Sequence, residues 1–307
     1  MRQTFNAVEP SAPLHAPRRP ARWPATLLAA LATQATGTAT GGELAPPDKS
    51  AYTLFNPTPV EFMRGLETDR PDKTESPYSV DAGHFQLEMD LFTFTRQEEA
   101  GSGMAQRAWS LAPLNLKLGL LNNLDLQLVI EPYLHVRTES LTSGQVTTQA
   151  GFGDTSLRAK VNLWGNDGGP TALAALPFVT FPTSQQGLGV GAVQGGLALP
   201  FAFDLPLDFG GGAQTGFAVV RNGTGAGCQV EFASSVTVNR SLTKQFSAYV
   251  EFWSLVSTEA GADWQGTFDF GGNFLVTPNL KLDAGVNLGV TSSADDWMPF
   301  VGLTWRY

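Results

Sequence analysis

The sequence predicts an all-β protein: a transmembrane, antiparallel, up-and-down β-barrel of about twelve strands, preceded by a signal peptide and a short segment outside the barrel. Three observations carry this prediction. The last residues of the chain alternate strictly between apolar and polar side chains. Segments with the same alternation recur throughout residues 84–307. The connections between these segments alternate between short and long.

The end of the chain has two unlike faces, as a β-strand between different surroundings has. The apolar row consists of Val301, Leu303, Trp305 and Tyr307, and the other row of Gly302, Thr304 and Arg306. The segment resembles the C-terminal strand of bacterial outer-membrane β-barrels, and an edge strand of a soluble sandwich is the alternative. We expect its apolar row to face lipid and its backbone to close the barrel against the strand that begins near His84.

Twelve segments of the chain have strand-like patterns. They lie at about 84–95, 105–120, 124–137, 154–164, 171–181, 193–204, 207–220, 228–239, 246–257, 264–276, 280–290 and 298–307. Pro113 disturbs the second segment, and 171–181 is ambiguous. Ten or fourteen strands remain open if one segment has been split or merged.

The connections support a membrane barrel with short turns at one end and longer loops at the other. Short turns fall at 121–123, 165–170, 205–206, 240–245 and 277–279, and longer loops at 96–104, 138–153, 182–192, 221–227, 258–263 and 291–297. A soluble barrel would show the same alternation of faces, but twelve strands enclose an interior that side chains do not readily fill. Four tryptophans, Trp164, Trp264, Trp297 and Trp305, fall near strand ends and suit an aromatic belt.

The composition argues against several classes of protein and several kinds of site. Only 15% of the 307 residues are charged and the mean hydropathy is −0.06, which is not typical of a helical membrane protein. A single cysteine, Cys228, permits no disulfide within the chain, and with three histidines a structural zinc site is not expected. The net charge of −9 argues against nucleic-acid binding. No motif for a nucleotide, metal or haem is present, so no cofactor is expected.

Residues 1–39 have the pattern of a secretory signal peptide. Arg18, Arg19 and Arg22 precede the apolar stretch 25–32, and small residues follow up to Ala39. The apolar stretch is too short for a transmembrane helix. A disordered tail is the alternative. We therefore expect export to the outer membrane.

Residues 40–83 form a Pro-rich segment outside the barrel. Thr58-Pro59-Val60-Glu61 reads as a capping box and predicts one short helix that ends near Leu66. The polar stretch that follows contains three charged residues that could anchor the segment inside the lumen: Asp69, Arg70 and Asp72. In this interpretation the segment is an inner strap or plug, with Arg70 gripping a lumen carboxylate. A solvated periplasmic tail is the alternative.

Two motifs carry a family resemblance. The stretch TDRPDKTESPY at 68–78 leads into GHFQLE at 83–88, and GFGDT at 151–155 is followed by a strand and the turn GNDG at 165–168. Over residues 68–307 the chain resembles the transporter-like outer-membrane proteins described as "putative MetA-pathway of phenol degradation" proteins. The resemblance implies an outer-membrane barrel that passes hydrophobic or aromatic small molecules.

Aromatic residues recur in the outer half of the strands. If the alternation is continuous, an apolar pocket near the outer mouth is lined by Phe92, Phe94, Trp109, Tyr133, Tyr249 and Trp253. The alternative is a β-bulge at Leu91-Phe92 that returns these rings to the lipid face.

Charged residues concentrate in the other half of the strands. The predicted lumen charges are Glu88, Asp90, Lys117, Asp125, Glu131, Arg158, Lys160 and Glu251. Candidate cross-strand pairs are Glu88 with Lys117 and Glu131 with Arg158. A network that props the lumen open and a charge-selective path are both compatible with this pattern.

The sequence therefore favours a non-enzymatic outer-membrane channel or transporter for hydrophobic or aromatic small molecules. A structural or adhesion-type barrel with a plugged lumen is the alternative. A hydrolase is more remote, because only His135 with Ser140 and Glu139 suggests a site and no nucleophile motif accompanies them. Expected partners are outer-membrane lipids, small apolar solutes, and the outer-membrane assembly machinery acting on the strand that ends at Tyr307.

Overall fold

The computed structural model describes residues 48–99 and 103–307, which form one closed antiparallel sheet. The predicted signal peptide lies outside the described residues. The strand segments are β1 (Phe85–Glu99), β2 (Met104–Leu111), β3 (Leu114–Leu121), β4 (Leu124–Ile130), β5 (Tyr133–Ser140), β6 (Val146–Gly151), β7 (Thr155–Trp164), β8 (Thr171–Phe181), β9 (Gln194–Leu205), β10 (Phe209–Arg221), β11 (Cys228–Ser241), β12 (Phe246–Ser257), β13 (Gln265–Thr277), β14 (Leu280–Gly289) and β15 (Trp297–Arg306).

These fifteen segments build a twelve-stranded barrel. Three barrel strands are each made of two consecutive pieces, namely β2 with β3, β4 with β5, and β6 with β7. The lower part of β1 pairs with β3 and its upper part with β2. The barrel closes where β15 pairs with β1, from Gln86 opposite Arg306 to Arg96 opposite Trp297. The predicted fold, strand number and closing pair are thus confirmed.

The observed strands follow the predicted segments closely, with two corrections. β1 continues to Glu99, so part of the loop predicted at 96–104 is strand. The long loop predicted at 138–153 is mostly strand, because β5 continues to Ser140 and β6 covers Val146–Gly151. The pattern missed β6 because its residues are mainly small and polar, and β5 supplies the partner that holds it in a sheet. Among the connections, the turn 278–279 has two residues and the loop 182–193 has twelve. We call the end with the short turns the inner end and the other the outer end.

The barrel wall has an apolar outside and a largely polar inside, as a membrane barrel requires. In β15, Val301 and Trp305 are exposed on the outside, whereas Thr304 and Arg306 are buried inside. The predicted orientation of the last strand is therefore confirmed. All four strand-end tryptophans are exposed on the outer surface: Trp164, Trp264, Trp297 and Trp305. Among the described residues no helix is long and apolar enough to cross a membrane.

Four neighbouring barrel strands change phase at one level of the wall. In β1 the register against β15 shifts between Asp90 and Phe92, so that Leu91 and Phe92 are both exposed. The interruptions in the next three barrel strands lie beside this shift, at 112–113, 131–132 and 152–154. One extra residue in a strand reverses which side chains face inward beyond it. We call this level the offset belt.

The segment before the barrel contains less helix than predicted. Within its described residues, 48–83, only Val60–Phe62 forms a short 3-10 turn, and Met63 is already extended. The helix does not continue to Leu66 because the chain turns into the barrel, where the Arg64 amide donates to Asp81 at 3.0 Å. Before this point the segment lies along the inner end, where Thr53 bridges to Leu121.

Candidate functional site

Residues 64–82, which we call the strap, run through the lumen in contact with the wall. Lys281 donates to the Leu66 carbonyl on one side of the barrel, and Asn162 donates to the Pro77 carbonyl on another at 2.9 Å. Inward side chains thereby satisfy the strap's backbone where no regular ladder can reach it. The strap is thus held to the inner wall from more than one side.

Arg70 joins the strap to the two strands that flank β15, namely β14 and β1. Its Nη2 lies 2.6 Å from Asp283 on β14 and 2.8 Å from Asp90 on β1. The Nε also donates to Asp283, at 3.1 Å, so the guanidinium grips this carboxylate with two nitrogens. The guanidinium carbon lies 5.7 Å from the centre of the Phe300 ring. Gly302 lies beneath it, and a Cβ there would overlap the guanidinium.

Asp69 lies among three cations of the wall, which belong to β3 and β7. Its two carboxylate oxygens contact the ammonium groups of Lys160 and Lys117, and Arg158 lies 4.0 Å away. Lys117 also pairs with Glu88 at 2.5 Å. Lys160 is fully buried, so these charges depend on one another for their solvation.

Residues 73–75 contact the wall at β12 and β13 and again at β7. Lys73 Nζ lies 3.2 Å from Asp269. The amides of Lys73 and Thr74 both donate to the carboxylate of Glu251, at 2.8 and 2.7 Å. Glu75 pairs with Arg158 at 2.6 Å. The strap thus contributes both signs of charge, and each sign meets its opposite on the wall.

The strap begins and ends in an ion-pair cluster at the inner end. Lys49 and Arg64 each lie 2.8 Å from Asp167 in the turn 165–170, and Arg64 also contacts Asp81 at 3.3 Å. Partial burial alone would raise the pKa of Asp167, but hydrogen bonds from Lys49 and Asn122, with the nearby charges, hold that pKa below its ordinary value. This cluster fixes both ends of the strap to one turn.

The three predicted anchor residues all lie in the strap. Asp69 and Arg70 make the pairs described above, and Asp72 lies beside Thr237 and Glu251. The interpretation of the segment as an inner strap therefore agrees with the geometry, and the solvated tail does not. Sequence reasoning missed Lys73 and Glu75, although both lie in the motif that carried the family resemblance.

Four of the six predicted pocket aromatics face outward instead. Phe92 is exposed, Phe94 packs on Trp297 at 5.3 Å, and Trp109 packs on Tyr133 at 5.2 Å. The offset belt causes this correction, since the alternation reverses at Leu91 and in the neighbouring strands.

The two predicted aromatics of β12, Tyr249 and Trp253, do face the lumen. Tyr249 is buried, and its ring crosses the inner wall where Gly271 and Gly285 leave room. Trp253 lies under Lys73, whose Nζ is 4.6 Å from the ring centre. Phe300 is a third inward ring that sequence reasoning missed, although it precedes the alternating segment that first indicated the barrel.

The predicted lumen charges lie on the inner wall. Their buried members are Glu88, Asp90, Lys117, Asp125, Arg158, Lys160 and Glu251. Glu88 pairs with Lys117 as predicted. The pair of Glu131 with Arg158 is wrong, because Arg158 meets Glu75 of the strap while Glu131 lies in the offset belt against Gly153. Inward charges on β13 and β14, Asp269 and Asp283, are equally part of the site.

The outer loop 182–193 is folded against the wall by Asp154. This buried carboxylate accepts the amide of Ser184 at 3.0 Å and that of Val190 at 3.2 Å. Asp154 closes the GFGD motif, so this motif serves to hold a loop. Leu188 of the loop joins an apolar cluster with Ala108, Leu134 and Val136.

Among the described residues, His135 is not brought together with Glu139 and Ser140, which lie four and five residues further along β5. Its ring is stacked on Trp109 at 5.1 Å, and Ser140 pairs opposite Met104 in the sheet. Within residues 48–99 and 103–307, no group of three His, Cys, Asp or Glu side chains is arranged to hold a metal ion.

Comparisons with known proteins agree with this geometry. A family model described as "Putative MetA-pathway of phenol degradation" matches residues 68–307. No curated protein matches the chain. Among solved structures, the transport unit of the autotransporter AIDA-I from Escherichia coli has a TM-score of 0.50 at 11% identity, over 73% of this chain and 90% of that one.

Two porins are also similar in outline. The NanC porin has a TM-score of 0.45 at 11% identity, over 71% of this chain and 98% of that one. The KdgM porin has a TM-score of 0.42 at 10% identity, over 72% and 99%. At such identities the likeness concerns the fold alone. The family match covers most of the chain, and together with the closed barrel it shows that this protein is an outer-membrane β-barrel that belongs to the family described as "Putative MetA-pathway of phenol degradation".

Proposed function

We propose that this protein is an outer-membrane channel for small hydrophobic or aromatic molecules, closed in this state by the strap. The observation that carries the proposal is the way the strap is held. Its central residues bind the wall through ion pairs and hydrogen bonds, as Arg70 does with Asp90 and Asp283. Water can replace such contacts when the strap moves, which leaves a polar lumen of the kind that conducts in membrane barrels.

The aromatic rings of the lumen support the choice of solute. Tyr249, Trp253 and Phe300 offer flat apolar surface inside an otherwise polar wall, and two of them lie under strap cations. Rings of this kind bind apolar or aromatic solutes at low entropic cost. When a solute passes the strap, these rings would lose their cation–π contacts with the strap and would stack on the solute instead.

Planar-bilayer recordings of the full-length protein test the proposal. The native protein is expected to open rarely in KCl. Arg70→Met removes the central anchor, and because breaking a buried pair costs several kcal/mol, the open fraction should rise at least about tenfold. Phenol in the bath should then block the current in a concentration-dependent manner. The matched control is Lys244→Met in the exposed turn 242–245, which should behave as the native protein.

A second candidate is a structural barrel whose lumen stays plugged. Its support is the extent of the strap's burial, with Thr74, Glu75 and Asp81 all nearly inaccessible. If the Arg70→Met protein folds, as judged by heat-modifiable gel mobility, yet never conducts, the channel proposal fails and the structural barrel stands.

We further propose that lipids contact the outer apolar face and that the assembly machinery binds the last strand. The support is the exposure of Trp305 and Tyr307 beside the closing pair of β1 and β15. The centres of the two rings are 6.0 Å apart, so the rings form one aromatic edge at the inner end.

A further inference from the structure

The strap places a carboxylate between two lysines of the wall. One oxygen of Asp69 meets Lys160 on β7, and the other meets Lys117 on β3. Both lysines are almost completely buried. Two ammonium groups that grip one carboxylate from both sides form a carboxylate-binding site, and here the chain itself supplies the occupant.

A third cation extends this site. Arg158 lies two residues before Lys160 on the same face of β7 and pairs with Glu75 at 2.6 Å. The wall cations therefore receive two strap carboxylates, Asp69 and Glu75. Lys117 retains Glu88 and Lys160 retains its cross-strand neighbour Asp125 when the strap leaves. Three cations then face two wall acids, and an incoming anion would restore the balance.

Apolar surface lies next to this cationic site. Arg70 directly follows Asp69, and its guanidinium lies over the ring of Phe300. The strap thus places the carboxylate of Asp69 beside the lysines and, one residue further, the guanidinium of Arg70 over an aromatic ring. A small molecule with a carboxylate on an aromatic body would present the same two features.

We propose that Lys117, Lys160 and Arg158 form a binding site for the carboxylate of an aromatic or apolar organic acid, and that Asp69 occupies this site as an internal competitor. The inference rests on the proposed channel function and narrows its solute class. Binding of the acid displaces Asp69 and loosens the strap, so that solute and strap compete for one set of cations.

Calorimetric titration of the full-length protein in detergent tests this site. The probes are phenylacetate, neutral benzyl alcohol and cationic benzylamine. Phenylacetate should bind most tightly. Asp69→Asn should tighten phenylacetate binding by at least about tenfold, because a tethered competitor acts at a millimolar or higher effective concentration. Asp208→Asn makes the same chemical change in the exposed turn after β9 and should leave the affinity unchanged.

A double variant tests the lysine itself. Asp69→Asn with Lys160→Met removes both members of this pair together, while Lys117 remains as a cation near Asp125. If it folds, as judged by heat-modifiable gel mobility, it should lose the preference for phenylacetate over benzyl alcohol. Equal affinity for both probes, unaffected by Asp69→Asn, would overturn the carboxylate site and leave the channel intact. If no aromatic probe binds or blocks in any folded variant, the proposed function itself fails.

Discussion

Arg70 and Gly302 show how a single position governs the strap. The guanidinium reaches Asp283 only because the residue beneath it has no side chain. A carboxylate on each of two strands then fixes Arg70. The absence of a side chain at Gly302 therefore leaves the space that the Arg70 anchor occupies.

Gly302→Ala should release the strap. A Cβ at this position overlaps the Arg70 guanidinium and approaches the Met89 carbonyl, so the anchor must shift at a cost of about 1–3 kcal/mol. Lys73 lies in the strap and is protected from trypsin while the strap is docked. In the variant, trypsin should therefore cut after Lys73. Gly65→Ala is the matched control, since its Cβ meets nothing within 4 Å. Equal protection at Lys73 in both variants would contradict the role of Gly302.

Asp167 gives the inner end a predicted pH dependence. Its folded pKa lies below the ordinary value because contacts with Lys49, Asn122 and Arg64 outweigh the effect of burial. The stabilisation is therefore complete above the unfolded pKa of about 4 and is lost as the pH falls through the lower folded pKa. Hydrogen exchange of residues 49–64 should lose protection below about pH 4. In Asp167→Asn the protection should be lower at neutral pH and independent of this titration.

At the scale of elements, the offset belt separates what the strand patterns could predict from what they could not. The bounds of β8 and β12 coincide with the predicted segments 171–181 and 246–257. The inward faces of β12 to β15 were also predictable, since these strands alternate regularly through most of the wall and β13 has its register shift only between Leu275 and Thr277, near its inner end. In β1 and its neighbours the same reasoning misplaced Phe92 and Trp109. An extra residue does not alter the kind of residues that a strand contains, so the sequence pattern gives no sign of it. Its position is seen only from the pairing with the neighbouring strand.

Deletion of Leu91 should move the register shift to the next strand without changing the faces of β1. Without this residue β1 alternates regularly, so Thr93 stays inside and Phe92 stays outside, and the unmatched residue is then Ala112 of the neighbouring strand. We expect most of the protein to keep heat-modifiable mobility on a gel. Deletion of Ser143, in the exposed outer turn between β5 and β6, should also be tolerated. Loss of this mobility in the Leu91 deletion alone would show that the extra residue must lie in β1.

At the scale of the whole molecule, closure of the barrel brings together residues that are far apart in the chain. Arg70 and Asp283 are separated by 213 positions, and Thr68 meets Thr304 across 236. Through Thr68 and Arg70 the strap contacts β15, β1 and β14 together. Its contacts therefore lie on both sides of the closing strand pair.

Tyr307→Ala should separate folding from assembly. The Tyr307 backbone pairs with Phe85 at 2.9 and 3.1 Å, whereas its ring is 78% exposed. The variant should therefore refold into lipid vesicles with native yield in vitro, yet accumulate several-fold less in the outer membrane of cells. Refolded yield by gel mobility and outer-membrane abundance are the two readouts. Equal abundance in cells would remove the proposed role of this ring as an assembly signal.

The sequence by itself determined the barrel, the closing strand pair and the face that carries the charges, because a period of two is a local property that survives in each strand. It also pointed to Asp69, Arg70 and Asp72 as anchors. Only the tertiary structure decided which partners these residues take and which aromatics reach the lumen. The physical reason is that ion pairs between distant residues and the phase of an offset strand depend on neighbours that closure supplies. Alternation within one strand carries no information about either.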